Sequence, residues 1–203
     1  NTAQAFKVFQ TVIKWCQKVL RLGRVLSGQV FALLSDAVRQ ALEQSGFREP
    51  TPPQTAAIPH VIAGRNLLLI APTGSGKTEA VLLPILDRLV RTLDRHGISV
   101  IYITPLRALN RDLLKRLQYW SDRLGFTVEI RHGDTPQKER RRQSIKPPDF
   151  LVTTPETLQA ILPGRRMRGH LRHVRWLVVD EVHELADNRR GVQLTVALER
   201  LRK

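Results

Sequence analysis

APTGSGKT, Ala71 to Thr78, is the stretch on which the reading of the whole chain turns. Gly74 and Gly76 free the backbone to curl, so that successive amides can point inward at phosphate oxygens. A helix starting at the end of the stretch would add the positive end of its dipole at the same point. Lys77 can reach the terminal phosphates of a nucleotide, Thr73 and Ser75 complete the loop, and the Thr78 hydroxyl can ligate magnesium. Ala71 stands where the general phosphate-loop pattern has glycine. Just upstream, NLLLIA, from Asn66, is apolar on both faces and reads as a buried strand. Strand, glycine-rich loop and helix in that order favour a phosphate site over a glycine-rich turn with an incidental lysine.

The same alternation continues outward. ISVIYIT (from Ile98), FTVEIR (from Phe126), DFLVT (from Asp149) and WLVVD (from Trp176) read as further strands. Helices are predicted between them at roughly 77–93, 106–124, 136–144 and 155–162. Strands alternating with helices imply an α/β fold, a parallel sheet flanked by helices, with ligands at the carboxyl ends of the strands. On the amino-terminal side, Ser35 can cap a helix through Ala41 and Leu42 to Ser45, which Gly46 ends. Pro50, Pro52 and Pro53 then force a turn before a short helix closing near Gly64. Phe47 reads as core.

Residues 1–28 are separate in composition. Phe6, Phe9, Ile13, Cys16 and Leu20 recur at helical spacing, while Lys7, Lys14 and Lys18 occupy the other side. An amphipathic helical extension is expected there, packing its apolar stripe on the rest of the protein. The same acid-free cationic pattern also resembles a mitochondrial transit peptide. Residues 29–203 are expected to form one domain.

Composition narrows the function. Hydrophobic residues at 42% suffice for a packed core, which excludes disorder and a disulfide-stapled miniature scaffold. The one cysteine cannot form an internal disulfide, so a reducing, cytoplasmic location is expected. No apolar run has the roughly 18–20 residues needed to cross a bilayer, so no membrane partner is expected. Thirty-three Lys and Arg against eighteen Asp and Glu give +15, which favours a polyanion, nucleic acid first.

A nucleotide loop needs a metal-holding acid at the end of a nearby strand, and WLVVDEVH supplies one. Asp180 is placed to hold magnesium, partly through water, and Glu181 to polarise the attacking water; His183 could relay the nucleotide state. An Asp-Glu pair after an apolar strand is by itself often just a solvated strand end. The phosphate loop upstream is what turns it into an expected catalytic pair, with Lys77 as the third catalytic group.

These residues in this order resemble the first motor domain, RecA-like, of superfamily-two helicases of the DEVH-box type. PTPPQ, ending at Gln54, resembles that family's adenine-reading segment. Phe31 lies one residue from the place where the family stacks an aromatic on adenine. TPLRAL, Thr104 to Leu109, and TTPETL, Thr153 to Leu158, resemble its two strand-contacting motifs, with HGD, His132 to Asp134, between them. Thr104, Arg107, His132, Gly133, Thr154 and Thr157 are therefore the nucleic-acid candidates, although a threonine capping its own helix would look the same. Three longer stretches, FALLSDAVRQALEQSGFREPTPPQ, YITPLRALNRDL and DEVHELADNRRGVQLTVALERL, are similar to the Lhr-type (large helicase-related) branch.

The resemblance implies ATP and magnesium as cofactors and, as partners, single-stranded DNA or RNA, or a DNA/RNA hybrid. It also implies a second motor domain that donates arginines to the γ-phosphate; its motifs are not among these 203 residues, so the chain alone is expected to hydrolyse ATP poorly. A nucleotide-switched binding module without translocation is the alternative; a basic binder with a vestigial loop ranks behind it, because the loop lysine and both acids are intact. Two further clusters, KERRRQSIK (Lys138 to Lys146) and GRRMRGHLRHVR (Gly164 to Arg175), can be read either as phosphate grips or as solvated helix faces.

Overall fold

The computed structural model describes residues 30–105, 111–185 and 189–202, which form two compact units dividing after Arg88. The amino-terminal extension expected over residues 1–28 lies outside the described residues.

The first unit is helical. A 3-10 turn, Val30–Leu33, leads into α1 (Asp36–Gln44), α2 (Pro52–Ile62) and α3 (Lys77–Arg91). α1 buries Val38, Ala41 and Leu42, one stripe at helical spacing. Ser35 does sit at its N-cap, but the side chain makes no capping bond; instead its backbone amide donates to Asp87 Oδ1 at 2.6 Å. α2 starts where proline is tolerated, because the first turn has no intrahelical use for its amides, and Gln54 Oε1 accepts from the Thr51 amide at 3.0 Å. Ala57 and Ile58 of α2 are fully buried. Phe47 is only half-buried: with Phe31 and Arg39 it lines an open cavity of about 380 Å³.

The strand expected from Asn66 does not form. Residues 65–72 carry no regular structure, and Leu68 and Ile70 are 54% and 46% exposed. A strand is stable only when its amides and carbonyls meet a neighbour's, and no described segment pairs with this one. Apolarity on both faces marks a segment suited to a central position, but it does not supply the partners.

The second unit holds the sheet. Its elements are β1 (Val100–Ile103), α4 (Arg111–Leu124), β2 (Val128–Arg131), α5 (Gln137–Ile145), β3 (Phe150–Thr153), α6 (Pro155–Ile161), α7 (Arg165–Leu171), β4 (Trp176–Val179) and α8 (Arg189–Arg202). The four strands are parallel in the order β2-β3-β1-β4, with Val100 opposite both Phe150 and Trp176, and Val128 opposite Phe150. β1 and β3 have neighbours on both sides and are buried throughout, whereas the outer β2 and β4 are mostly half-buried. The pleat sends alternate residues to opposite faces. Ile101, Ile103 and Leu151 join a core with Leu158, Met167, Leu171 and Leu194. The alternating set meets the aromatics: Phe150 stacks with Tyr102 at 6.3 Å and packs on Phe126 at 6.2 Å.

α7 was legible only as a basic cluster; it folds because Met167 and Leu171, four apart, reach the core while the arginines stay in water. Phe150→Ala should cost about 3–5 kcal/mol, since it deletes a fully buried ring among two other rings. Urea unfolding with an unchanged m-value checks this, and a cost below 1 kcal/mol, on the order of a surface change, would contradict it.

Candidate functional site

In the first unit, the phosphate loop owes its shape to two glycines. Gly74 and Gly76 have φ of 73° and 86°, in the left-handed region that side chains resist. A Cβ on Gly76 would also come within 2.8 Å of Gln54 Nε2 and 2.9 Å of Thr51 Oγ1. Ser75 closes the turn on itself, its amide and hydroxyl both donating to the Pro72 carbonyl at 3.4 and 2.6 Å. Thr73 and Gly74 are exposed at the tip, and Ser75 to Thr78 are half-buried. Lys77 folds back, Nζ donating to the Ala71 carbonyl at 2.7 Å. The ammonium is thus held over its own loop by a single carbonyl, the arrangement from which it can turn to an anion. The helix α3 begins at Lys77, as the sequence pattern requires.

Gln54 is fully buried against this loop. Besides the bond to Thr51, its Nε2 reaches the Gly76 carbonyl at 3.5 Å. The amide expected to read a base edge is therefore tied to the backbone of the phosphate loop, while Phe31, in the turn that packs against α2, lines a cavity whose lining does not include Gln54.

In the second unit, the carboxyl ends of all four strands carry the expected motifs. Asp180 follows β4, and its amide donates to the Ile103 carbonyl at 2.8 Å, extending the pairing by one residue. Its two carboxylate oxygens have different partners: Oδ2 accepts from the Tyr102 hydroxyl at 2.6 Å and Oδ1 from the Glu181 amide at 2.9 Å. Tyr102, buried in β1, was missed in the sequence, where it looked like one more strand residue. Glu181 has φ of 48° and ψ of 42°, the one non-glycine with positive φ among the described residues. Such strain persists only where the surroundings enforce it, and here the bond to Asp180 does so. His183, exposed, places Nδ1 3.3 Å from Glu181 Oε2.

The threonine candidates are less accessible than a strand-contacting role requires. Thr104 is fully buried at the end of β1, its hydroxyl without a partner among the described residues. Thr154 caps α6, its hydroxyl accepting from the Thr157 amide at 3.3 Å and donating to the Thr157 hydroxyl at 3.1 Å. Only Thr157 of the three is half open to solvent. At the end of β2, the His132 amide donates to Thr135 Oγ1 at 2.9 Å, and the exposed Gly133 accepts from Arg140 through its carbonyl. Arg107 lies outside the described residues.

A second link missed in the sequence crosses this rim: Arg190 of α8 pairs with Glu156 in the first turn of α6. Partial burial alone would raise the Glu156 carboxyl, but hydrogen bonds from Arg190, its own amide and Thr154, with the guanidinium charge, hold it below the usual value. The same bond raises Arg190 above its ordinary value. A carboxyl lowered on folding stabilises above its unfolded range near 4.5 and loses that contribution as pH falls through it. Glu156→Gln should therefore destabilise the fold at neutral pH in low salt by about 1 kcal/mol or less, read as a lower melting temperature, and the difference should fade as pH falls below 4.5. A difference that persists in acid would sink this assignment.

The DEAD/DEAH box helicase family matches residues 51–203. ATP-dependent helicase Lhr-Core of Methanothermobacter thermautotrophicus is 40% identical over 190 residues, 86% of this chain and 22% of that protein. The Lhr helicase/uracil glycosylase of Escherichia coli is 40% identical over 178 residues, 76% of this chain and 11% of that one. Among solved structures, Mycobacterium smegmatis helicase Lhr bound to ssDNA and AMP-PNP superposes with a TM-score of 0.74 at 40% identity, over 85% of this chain and 23% of that chain. The DEAD-box helicase Mss116, at 22% identity, has the same fold with a TM-score of 0.74. The chain thus spans about a fifth of the length of Lhr-Core, 22%. A parallel sheet flanked by helices, motifs at the carboxyl ends of its strands, and this match together establish that the chain belongs to the DEAD/DEAH box helicase family and has its RecA-like fold.

Proposed function

We propose that the chain is the nucleotide-binding half of an ATP-dependent helicase, coupling ATP hydrolysis to movement along a single strand of DNA or RNA. The observation that carries this is the acid pair at the end of β4: Asp180 fixed through both oxygens and Glu181 held in a strained, outward conformation beside it. Fixed carboxylates of this kind suit phosphoryl transfer, in which positioned charge does most of the work. The Lhr helicase of Mycobacterium smegmatis, solved with ssDNA and AMP-PNP, supports the same ligands here.

Each residue has a role in this reading. The amides of Thr73 to Thr78 cradle the phosphates, Lys77 exchanges the Ala71 carbonyl for a terminal phosphate, and Glu181 orients the attacking water. Gln54 ties the adenine-side segment to the loop, and His183 senses the state of Glu181. Oxygen donors fit magnesium, a hard cation, and each Asp180 oxygen keeps lone-pair capacity beyond its one hydrogen bond. Thr78 after the loop and Asp180 after β4 are each an oxygen donor suited to the ion, which would supply charge neutralisation on the phosphates. Gly133, Thr157 and the backbone at the strand ends are the parts of the rim that can meet a strand's phosphates; Thr104 and Thr154 shape it from beneath. A partner domain elsewhere in the full-length protein would complete the nucleotide site.

Strand binding through backbone contacts should be indifferent to sequence and steeply salt-dependent. Fluorescence anisotropy with single-stranded DNA and RNA, with and without AMP-PNP, tests this. Nucleotide-dependent binding to single strands in preference to blunt duplexes is expected. Strict sequence preference, or affinity equal at low and high salt, would overturn the reading; nucleotide-switched binding without any movement along the strand by the full-length protein would favour a binding module.

A further inference from the structure

The two basic clusters, separated by seventeen residues in the sequence, meet in the fold. α5 packs on α7, and His170 Nε2 lies 3.0 Å from the Ser144 carbonyl. Both helices arrive here at the amino-terminal edge of the sheet. α5 is followed within five residues by β3, and the His170 carbonyl accepts from the Ile98 amide just before β1. The rim with Asp180, Thr157 and Gly133 is at the other ends of the same strands.

Between Lys138 and Arg175 stand ten Lys and Arg against three Asp and Glu, nearly half of the chain's +15. Lys138 and Arg141 on α5 and Lys146 at its C-cap are exposed, as are Arg165, Arg166 and Arg168 on α7. Arg172 and Arg175, in the connection to β4, are exposed as well. None of these eight pairs with an acid among the described residues; of the acids nearby, Glu129 pairs with Arg142 and Asp149 with Arg95, while Glu139 in the first turn of α5 is exposed and offsets one of the charges.

Helix dipoles account for only part of this. Lys146 and Arg172 cap the negative ends of α5 and α7, where a cation is stabilising. Arg165 and Arg166 stand in the first turn of α7, where no acid offsets them and the dipole opposes a cation. Arg141 lies one turn from Ser144 and Arg166 one turn from His170, so helical spacing places both beside the helix contact.

We propose that this amino-edge face is a second nucleic-acid surface, one that takes the phosphate backbone of a duplex. Six of its eight free cations are arginines, whose planar fork matches phosphate oxygens in pairs. Apart from histidine, neither helix carries an aromatic residue, so the face has nothing on which the unstacked bases of a single strand could rest. Two phosphate rows on a stiff surface are what a fixed block of arginines can meet. A strand on the carboxyl rim cannot reach it, because the sheet stands between, so the domain would hold duplex behind and single strand in front.

The test uses the 203-residue chain carrying Arg141→Gln, Lys146→Gln, Arg166→Gln and Arg172→Gln together. Affinity for a blunt duplex, read by anisotropy in about 50 mM salt, should fall about 10- to 100-fold. The slope of log affinity against log salt should shrink by about 3 to 4. Binding to a single-stranded oligonucleotide should change less than about twofold, within the scatter of exposed charge changes. A charge-keeping control, Arg141→Lys, Arg166→Lys and Arg172→Lys with Lys146 left in place, should retain most of the duplex binding and show that loss in the first variant is not misfolding. Unchanged duplex affinity overturns the proposal, and so does an equal loss for duplex and single strand. Polyglutamate binding this face as tightly as the duplex, and lost in the same variant, would assign it to an acidic protein instead. These outcomes stand whether or not the rim itself binds single strands.

Discussion

Lys77→Ala should abolish most nucleotide binding, lowering affinity for ATP with magnesium by about 100-fold, because a charge-assisted contact to phosphate contributes about 1.5–3 kcal/mol. The fold should survive. In the structure Lys77 makes one bond, to the Ala71 carbonyl, and is half-buried, so its removal leaves a carbonyl that water can reach. Gly74 and Gly76 keep the loop's curl without it. Titration calorimetry on the folded variant decides the matter, and undiminished ATP binding would end the phosphate-loop assignment.

The second large effect concerns turnover. The 203-residue chain should bind ATP yet hydrolyse it near the background rate, whereas a longer protein with the sequence that its far longer relatives possess should be faster by about a thousandfold or more. That is what an arginine supplied to the transferring phosphate contributes in related chemistry. Glu181→Gln in the longer protein should then bring turnover back to background while ATP stays bound, since the amide keeps the shape of the carboxylate but cannot take a proton from water. Brisk hydrolysis by the short chain, growing with protein concentration, would instead mean that a second copy supplies the missing charge. Brisk hydrolysis independent of concentration would refute the two-domain reading.

Local chemistry was legible where a residue's own backbone or side chain decides the outcome. Lys77 starts its helix, Gly74 and Gly76 take positive φ, and four of the five apolar runs become strands within two residues of their expected start. What could not be read depends on partners distant in sequence. NLLLIA has strand composition, but pairing is a property of two segments, and composition names only one. Tyr102 is apolar by spacing and polar by contact, and its bond to Asp180 spans 78 residues. Glu156 with Arg190 is the same case across 34. The threonines are a different case: a hydroxyl after a strand serves a ligand or its own helix equally well; Thr154 is buried and caps α6, whereas Thr104 is buried with its hydroxyl unpartnered among the described residues.

The strand order also governs when the domain can exist. β1 is the first strand made, yet it is flanked by β3 and β4, the last two. While the chain is being synthesised, Val100–Ile103 has no partner for either edge until Phe150–Thr153 emerges, and its second edge stays open until Trp176–Val179 follows. A growing chain therefore carries one of its two fully buried strands unpaired from Ile103 until Phe150 emerges, and one stalled before Trp176 cannot finish the sheet. That interval, during which an apolar edge is available to other nascent chains, is when this domain has most need of a chaperone.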